Sequence, residues 1–116
     1  MESIQTEDYQ VTINSDNDRI KFVGELRLQT KDYLPITELL NQVAIQKPPT
    51  ITLDLLELRK FNSSGINMLT KFLLHLRNQS WSAVVIKGNQ AIIWQRKYLR
   101  NLHRLMRGIE FNLEWY

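Results

Sequence analysis

The side chains best placed to do chemistry are the serines of Asn62-Ser63-Ser64-Gly65, which precede a helical run of apolar residues. A serine attacks an acyl group only when a base activates its hydroxyl. The sequence shows no such base beside Ser63, and Gly-x-Ser-x-Gly is absent. Gly-x-x-x-x-Gly-Lys-[Ser/Thr] and Gly-x-Gly-x-x-Gly are absent too, so no phosphate-cradling loop is indicated. There is no cysteine, which removes thiolate ligands, disulfides and a thiol nucleophile. His75 and His103 fall on different helical patterns without His-Glu-x-x-His spacing, so no metal site is expected. No catalytic residue and no cofactor is expected. What the serines can do is start a helix. Ser63 or Ser64 suits an N-cap, its hydroxyl accepting a first-turn N–H. An anion at such an end gains about 0.3–1 kcal/mol from the free N–H groups and the dipole.

Charge is unevenly spread behind the formal net of +3. Met1 to Glu57 holds ten acidic and five basic residues; Leu58 to Ile109 holds ten basic and no acidic ones. Arg96, Arg100 and Arg104 recur at i, i+4 and i+8, with His103 and Arg107 close to the same line and Lys97 at its edge. Leu99, Leu102, Leu105 and Met106 fall on the opposite side. No acid lies in this helix to form i, i+4 pairs, so the arginines repel one another. The expected role of the stripe is to dock an acidic surface, protein rather than nucleic acid. The acidic half of a second copy would also serve, which leaves a homo-oligomer open.

The elements that position these residues follow from periodicity. One hundred and sixteen residues, 43% hydrophobic and 23% charged, fit one folded domain over 1–116, with a core of about 9–113. Tyr9 to Asn14 alternates as a strand, Ser15-Asp16-Asn17-Asp18 is turn chemistry, and Ile20 to Val23 resumes the strand, closed by Gly24. Pro35 suits a first helical turn, and Ile36, Leu39, Leu40 and Val43 share one face before Lys47-Pro48-Pro49 ends the helix. Thr50 to Leu56 reads as a central strand and Glu57 to Asn62 as a loop. The second helix, from near Ser63, presents Ile66, Leu69, Leu73 and Leu76, with Phe72 beside them. Ser82 to Ile86 is a third buried strand, Ile92 to Met106 a third helix, and Ile109 to Leu113 a final strand after Gly108. The order β-β-α-β-α-β-α-β predicts an α/β fold: a mixed, mostly parallel sheet flanked by helices. Sites in such sheets lie at the carboxyl ends of the strands, where Glu57 to Ser63 falls. The acidic, polar N-terminus does not read as a signal peptide, and runs such as Ala83-Val84-Val85-Ile86 are too short to insert in a membrane. The expected location is cytoplasmic.

Asp54-Leu55-Leu56, followed by Phe61-Asn62-Ser63-Ser64-Gly65-Ile66, resembles the signature of STAS domains. There a strand ending in Asp-Leu leads through a short loop to Asp-Ser-Ser-Gly and a helix, the two acidic positions eight apart as Asp54 and Asn62 are here. Val23-Gly24-Glu25-Leu26 is similar to the family's Gly-Glu-Leu. The resemblance covers roughly Tyr9 to Phe111. The chain departs from it at Asn62, which replaces an acid, in a longer third helix, and in stopping after the last strand where the family has a further helix.

The resemblance implies a STAS-like fold and a non-enzymatic regulator that binds an anti-sigma factor, a serine kinase or another STAS protein. In the anti-sigma-factor antagonist branch the serine after the acid is phosphorylated by a partner kinase, which carries the phosphoacceptor role to Ser63. It also implies partner contact through Arg59, Lys60, Asn62, Ser63, Ser64 and Gly65. Two other classes compete: a nucleic-acid-binding module using the basic third helix, and a cytoplasmic accessory subunit of a membrane transporter.

Overall fold

A computed structural model describes residues 2–79, 81 and 83–116. Its sheet has six strands in chain order: β1 (Ser3–Gln5), β2 (Tyr9–Ile13), β3 (Arg19–Leu26), β4 (Thr50–Phe61), β5 (Ala83–Gly88) and β6 (Glu110–Trp115). The first three strands pair antiparallel, and β3 to β6 pair parallel. The described helices of the crossovers are α1 (Leu34–Ile45), entered through a 3-10 turn at Thr30–Tyr33, α2 (Ser63–Asn78) and α3 (Ile93–Leu105). The mixed α/β architecture is the one expected. The expected start of β5 at Ser82 lies outside the described residues.

Each crossover steps to the next strand in the same direction, so right-handed connections set all three helices on one face. Burial follows. Val11, Ile13, Ile20, Phe22, Ile51, Leu53, Val84 and Ile86 point inward at 0% exposure. They meet Ile36, Leu40 and Val43 of α1, Leu69, Leu73 and Leu76 of α2, and Leu99 and Leu102 of α3. Lys47, at φ 52, ends α1 in the left-handed region ahead of the two prolines. The helices are also tied to one another. Thr70 Oγ1 lies 2.8 Å from the Tyr98 hydroxyl, and Arg77 donates to the Leu105 carbonyl at 2.7 Å, satisfying the end of α3.

Four expectations are corrected. The edge strand β1 was missed: it is three residues long, too short for a period to show. Gly24 does not close its strand. β3 runs through it to Leu26; Gly24 sits at φ 98, and a Cβ there would strike the Asp8 carbonyl, so glycine is needed on both counts. Leu105, the last residue of α3, is 45% exposed, whereas Leu99, Leu102 and Met106 are buried. Most important, Glu57 to Phe61 is not a loop. It continues β4, which spans twelve residues.

Two bulges disguise that continuation. Lys21 faces Asp54 but Val23 faces Glu57, and Gly24 faces Leu58 but Glu25 faces Lys60. Each step adds one residue to β4, so its inward positions become Leu55, Leu58 and Phe61 and the alternation is lost. On its other side β4 pairs with β5 only from Thr50 to Asp54. Beyond Asp54, side chains take the backbone groups that a strand would have bound. Asp54 Oδ1 accepts from Leu56 N (3.1 Å), and Asn89 Nδ2 donates to Leu56 O (3.0 Å). Gln95 Nε2 donates to Leu55 O (2.6 Å) and Leu58 O (3.1 Å), while its Oε1 accepts from Asn89 N (2.9 Å). Trp94 Nε1 donates to Arg59 O at 2.9 Å. Gln95 is fully buried on α3, a polar group held by complete hydrogen bonding.

Gln95→Leu strands two buried carbonyls and one N–H, so urea unfolding should show a loss of about 2–4 kcal/mol. Gln90→Leu, on the exposed turn before α3, should change stability by less than about 0.5 kcal/mol. Burial pushes the Tyr98 phenol up to about 12, opposed by its bond to Thr70. A folded pKa above the free value of 10.0 favours the folded state at lower pH. That contribution is intact below pH 10 and drains away as pH rises to about 12. Tyr98→Phe should therefore show a shallower alkaline loss of stability than the parent chain in pH-dependent melting.

Candidate functional site at the head of the second helix

The segment Phe61 to Gly65 turns from the end of β4 into α2 at the carboxyl end of the parallel strands. The residue that makes the turn is Asn62, the N-cap of α2, extended at φ −87 and ψ 175. Its Oδ1 accepts from Gly65 N at 3.0 Å and from the Tyr33 hydroxyl at 2.6 Å. Its Nδ2 donates to Leu28 O at 2.7 Å, and its backbone N–H donates to Leu26 O at 3.1 Å. One side chain thus ties together the end of β3, the 3-10 turn and the start of α2.

The expected cap is corrected by this geometry. Neither Ser63 nor Ser64 caps the helix; they are its first two residues, and Asn62 does the capping. The amide at position 62 also has a reason. A carboxylate could accept from Gly65 and Tyr33 but has no hydrogen to give Leu28 O. Here the group that replaces the resembled family's acid is a donor as well as an acceptor.

Around Asn62 the packing is close. A Cβ on Gly65 would strike the Phe61 ring and come within 2.6 Å of the Tyr33 hydroxyl, so only glycine lets α2 start this near β4. Phe61 meets Tyr33 edge-on, with centroids 6.3 Å apart, and Trp94 at 5.6 Å. The Tyr33 hydroxyl also lies 3.1 Å from Leu26 O, and its one proton serves the shorter contact with Asn62. Burial raises its pKa above the ordinary phenol value, with the Leu28 N–H bond opposing, so it stays a neutral donor.

The residues expected to face a partner divide into two groups. Asn62 and Gly65 are locked into the junction. Ser63, Arg59 and Lys60 are exposed, and Ser64 is half-buried with Oγ 3.0 Å from Thr30 Oγ1. Arg59 and Lys60 stand on the outer end of β4 rather than on a loop. Arg59 lies 3.8 Å from Glu25, which Arg27 also pairs. The first turn of α2 carries no acid, so nothing on it repels an anion at Ser63.

One feature was not legible in the sequence. A groove of 540 Å³ runs between α1 and α2, floored by Tyr33, Met68 and Phe72, and Ser64 lies at its head. Leu34 stands on its rim at 59% exposure. Lys71 and His75 also line it, while His103 stacks on Phe111 of β6 at 5.6 Å. Among the described residues no group of three metal-binding side chains occurs, and no helix is long and apolar enough to cross a membrane.

Asn62→Asp should cost about 1–3 kcal/mol in urea unfolding, because Leu28 O loses its donor and faces an oxygen. Asn62→Ala should cost more, since cap, Tyr33 partner and Leu28 partner all go. The opposite ranking would remove the role assigned to the amide.

No family model matches this sequence, and no curated protein matches it. Solved structures do match in fold. The chain aligns over 100% of its length and 100% of a chain in the crystal structure of the diguanylate cyclase SiaD in complex with its activator SiaC from Pseudomonas aeruginosa, with a TM-score of 0.74 and 13% identity. A structure of SiaC of Pseudomonas aeruginosa aligns at a TM-score of 0.72, with 13% identity and 100% of both chains covered. Apo-SiaC from the same organism aligns at 0.62, again with 13% identity, over 98% of this chain and 99% of the other. At this identity the likeness establishes the fold: end to end, the chain shares the mixed α/β architecture of SiaC.

Proposed function

We propose that this chain is a non-enzymatic regulator that binds a signalling protein through the head of α2 and the groove beside it. Phosphorylation of Ser63 switches that binding. The observation that carries the reading is the position of Ser63: exposed, in the first turn of α2, where the half-buried Ser64 heads a largely apolar groove. A partner seated in the groove and over the helix end would cover Ser63. A phosphate there brings about −1.5 to −2 charges, stabilised by the free N–H groups of the turn and fatal to an apolar contact. The fold need not move, because Asn62 and not Ser63 holds the junction.

The fold likeness supports the same class. SiaC is named as the activator of a diguanylate cyclase and is seen in complex with it. For this chain the candidate partners are an anti-sigma factor or serine kinase, another STAS protein, and a nucleotide cyclase of that kind. All would be met in the cytoplasm. The chemistry required of each is the same: an apolar anchor for the groove and an uncharged contact over Ser63.

Ser63→Ala should leave stability within about 0.5 kcal/mol, since no cap is lost. A partner captured from native lysate should bind Ser63→Ala within about twofold of the parent, and Ser63→Glu at least about tenfold more weakly, by calorimetry. Mass spectrometry of the captured chain should find phosphate on Ser63. Equal affinity of the two variants would end the switch, and undiminished binding by a groove variant such as Met68→Glu would end the docking site.

A further inference from the structure

Helix α3 carries four Lys or Arg residues and no acid. Arg96, Lys97, Arg100 and Arg104 are all exposed and line a shallow trough of 450 Å³ along the helix. Arg107 continues the line past its end. The ion pairs of the described residues lie on the sheet: Lys21 with Glu57, Arg27 and Arg59 with Glu25, and Lys87 with Glu114. Among the described residues no ion pair reaches the α3 stripe. Like charges at i, i+4 destabilise a helix, and this one tolerates three arginines in succession at that spacing.

Its orientation is fixed from within. Trp94 and Gln95 hold the carbonyls of β4, Tyr98 meets Thr70, and Leu99 and Leu102 enter the core. At 100° per residue the arginines therefore face directly away from the sheet. Ile93, 76% exposed, sits on the same line at its start. The stripe is thus a rigid row of forks about 6 Å apart, one per helical turn, with an apolar foot at one end.

We propose that this face of α3 is a second docking surface, separate from the groove beside α2, and that its occupant is an acidic helix of a partner protein. That helix presents carboxylates at i, i+4 and i+8 and one apolar side chain to Ile93. The pitch of one helix matches that of another laid along it, and guanidinium forks pair carboxylates two bonds at a time. The stripe is a poor platform for unpaired bases. No aromatic ring stands on the stripe to stack a base, because Trp94 and Tyr98 are turned inward. A lipid surface has no apolar face to receive, since that face of α3 is spent on the core.

The test uses two synthetic helical peptides of one composition, one with Glu at i, i+4 and i+8, the other with Glu spread around the helix. Binding to the full chain is read by anisotropy and mapped by amide shifts at about 150 mM salt. The in-line peptide should bind at least about tenfold more tightly than the spread one, with shifts on α3. Arg96→Gln, Arg100→Gln and Arg104→Gln together should abolish the difference, with the far-ultraviolet spectrum unchanged. Ser63→Glu should leave it intact, so failure here and failure of the α2 site are distinguishable. Equal binding of the two peptides overturns the proposal. So does tighter binding of a 20-mer DNA duplex or of phosphatidylserine vesicles than of the in-line peptide. Self-association that the triple variant removes would assign the stripe to a second copy instead.

Discussion

Strand β4 outruns its neighbour β5, and the rest of the molecule is arranged around the backbone this leaves over. Pairing with β5 ends at Asp54, yet β4 continues to Phe61 beside β3. A carbonyl left dry and unpaired costs about 1–3 kcal/mol, and this edge presents several. Asn89, Trp94 and Gln95 donate to them, and Asp54 accepts the Leu56 N–H beside them. The two bulges place the carbonyls where α3 can reach them, and α3 is thereby fixed in rotation as well as position. Its arginines face outward because its glutamine must face inward.

At the end of the same strand the junction at Asn62 solves a second problem of the same kind. The first turn of α2, the end of β3 and the 3-10 turn all bring polar backbone groups to one small volume. A single amide, with acceptor on one side and donor on the other, serves them all. The neighbouring serine is therefore free of structural duty. A modification of Ser63, as proposed, would change what the surface offers without touching what holds the turn.

The helices cover one face of the sheet, and the other face must manage its own polarity. Register does this. Lys21, Asp54, Lys87 and Glu114 lie in one row across four parallel strands, with signs alternating. Asp54, at 8% exposure, is an acid within the sheet flanked by two lysines and bonded to the backbone of its own bulge. The family-like aspartate is thus first a device for shaping β4, ahead of any contact with a partner.

Periodicity alone determined the crossover helices, the parallel strands and the apolar faces of Ile36–Val43 and Leu69–Leu76, because a period of 2 or 3.6 survives wherever one face is buried and the other wet. It also determined the stripe Arg96–Arg100–Arg104, since angular position on a helix needs only spacing. The end of β4 was hidden because each bulge shifts the period by one, and β1 because three residues hold too few repeats to read. The groove between α1 and α2, the turn of Trp94 and Gln95 toward β4, and the capping by Asn62 rather than by a serine depended on tertiary structure. The groove and the turn of Gln95 join segments about thirty to forty residues apart, and the local cap falls to Asn62 because Tyr33 and Leu28, as distant, hold its side chain. Local propensity carries no record of a partner that distant.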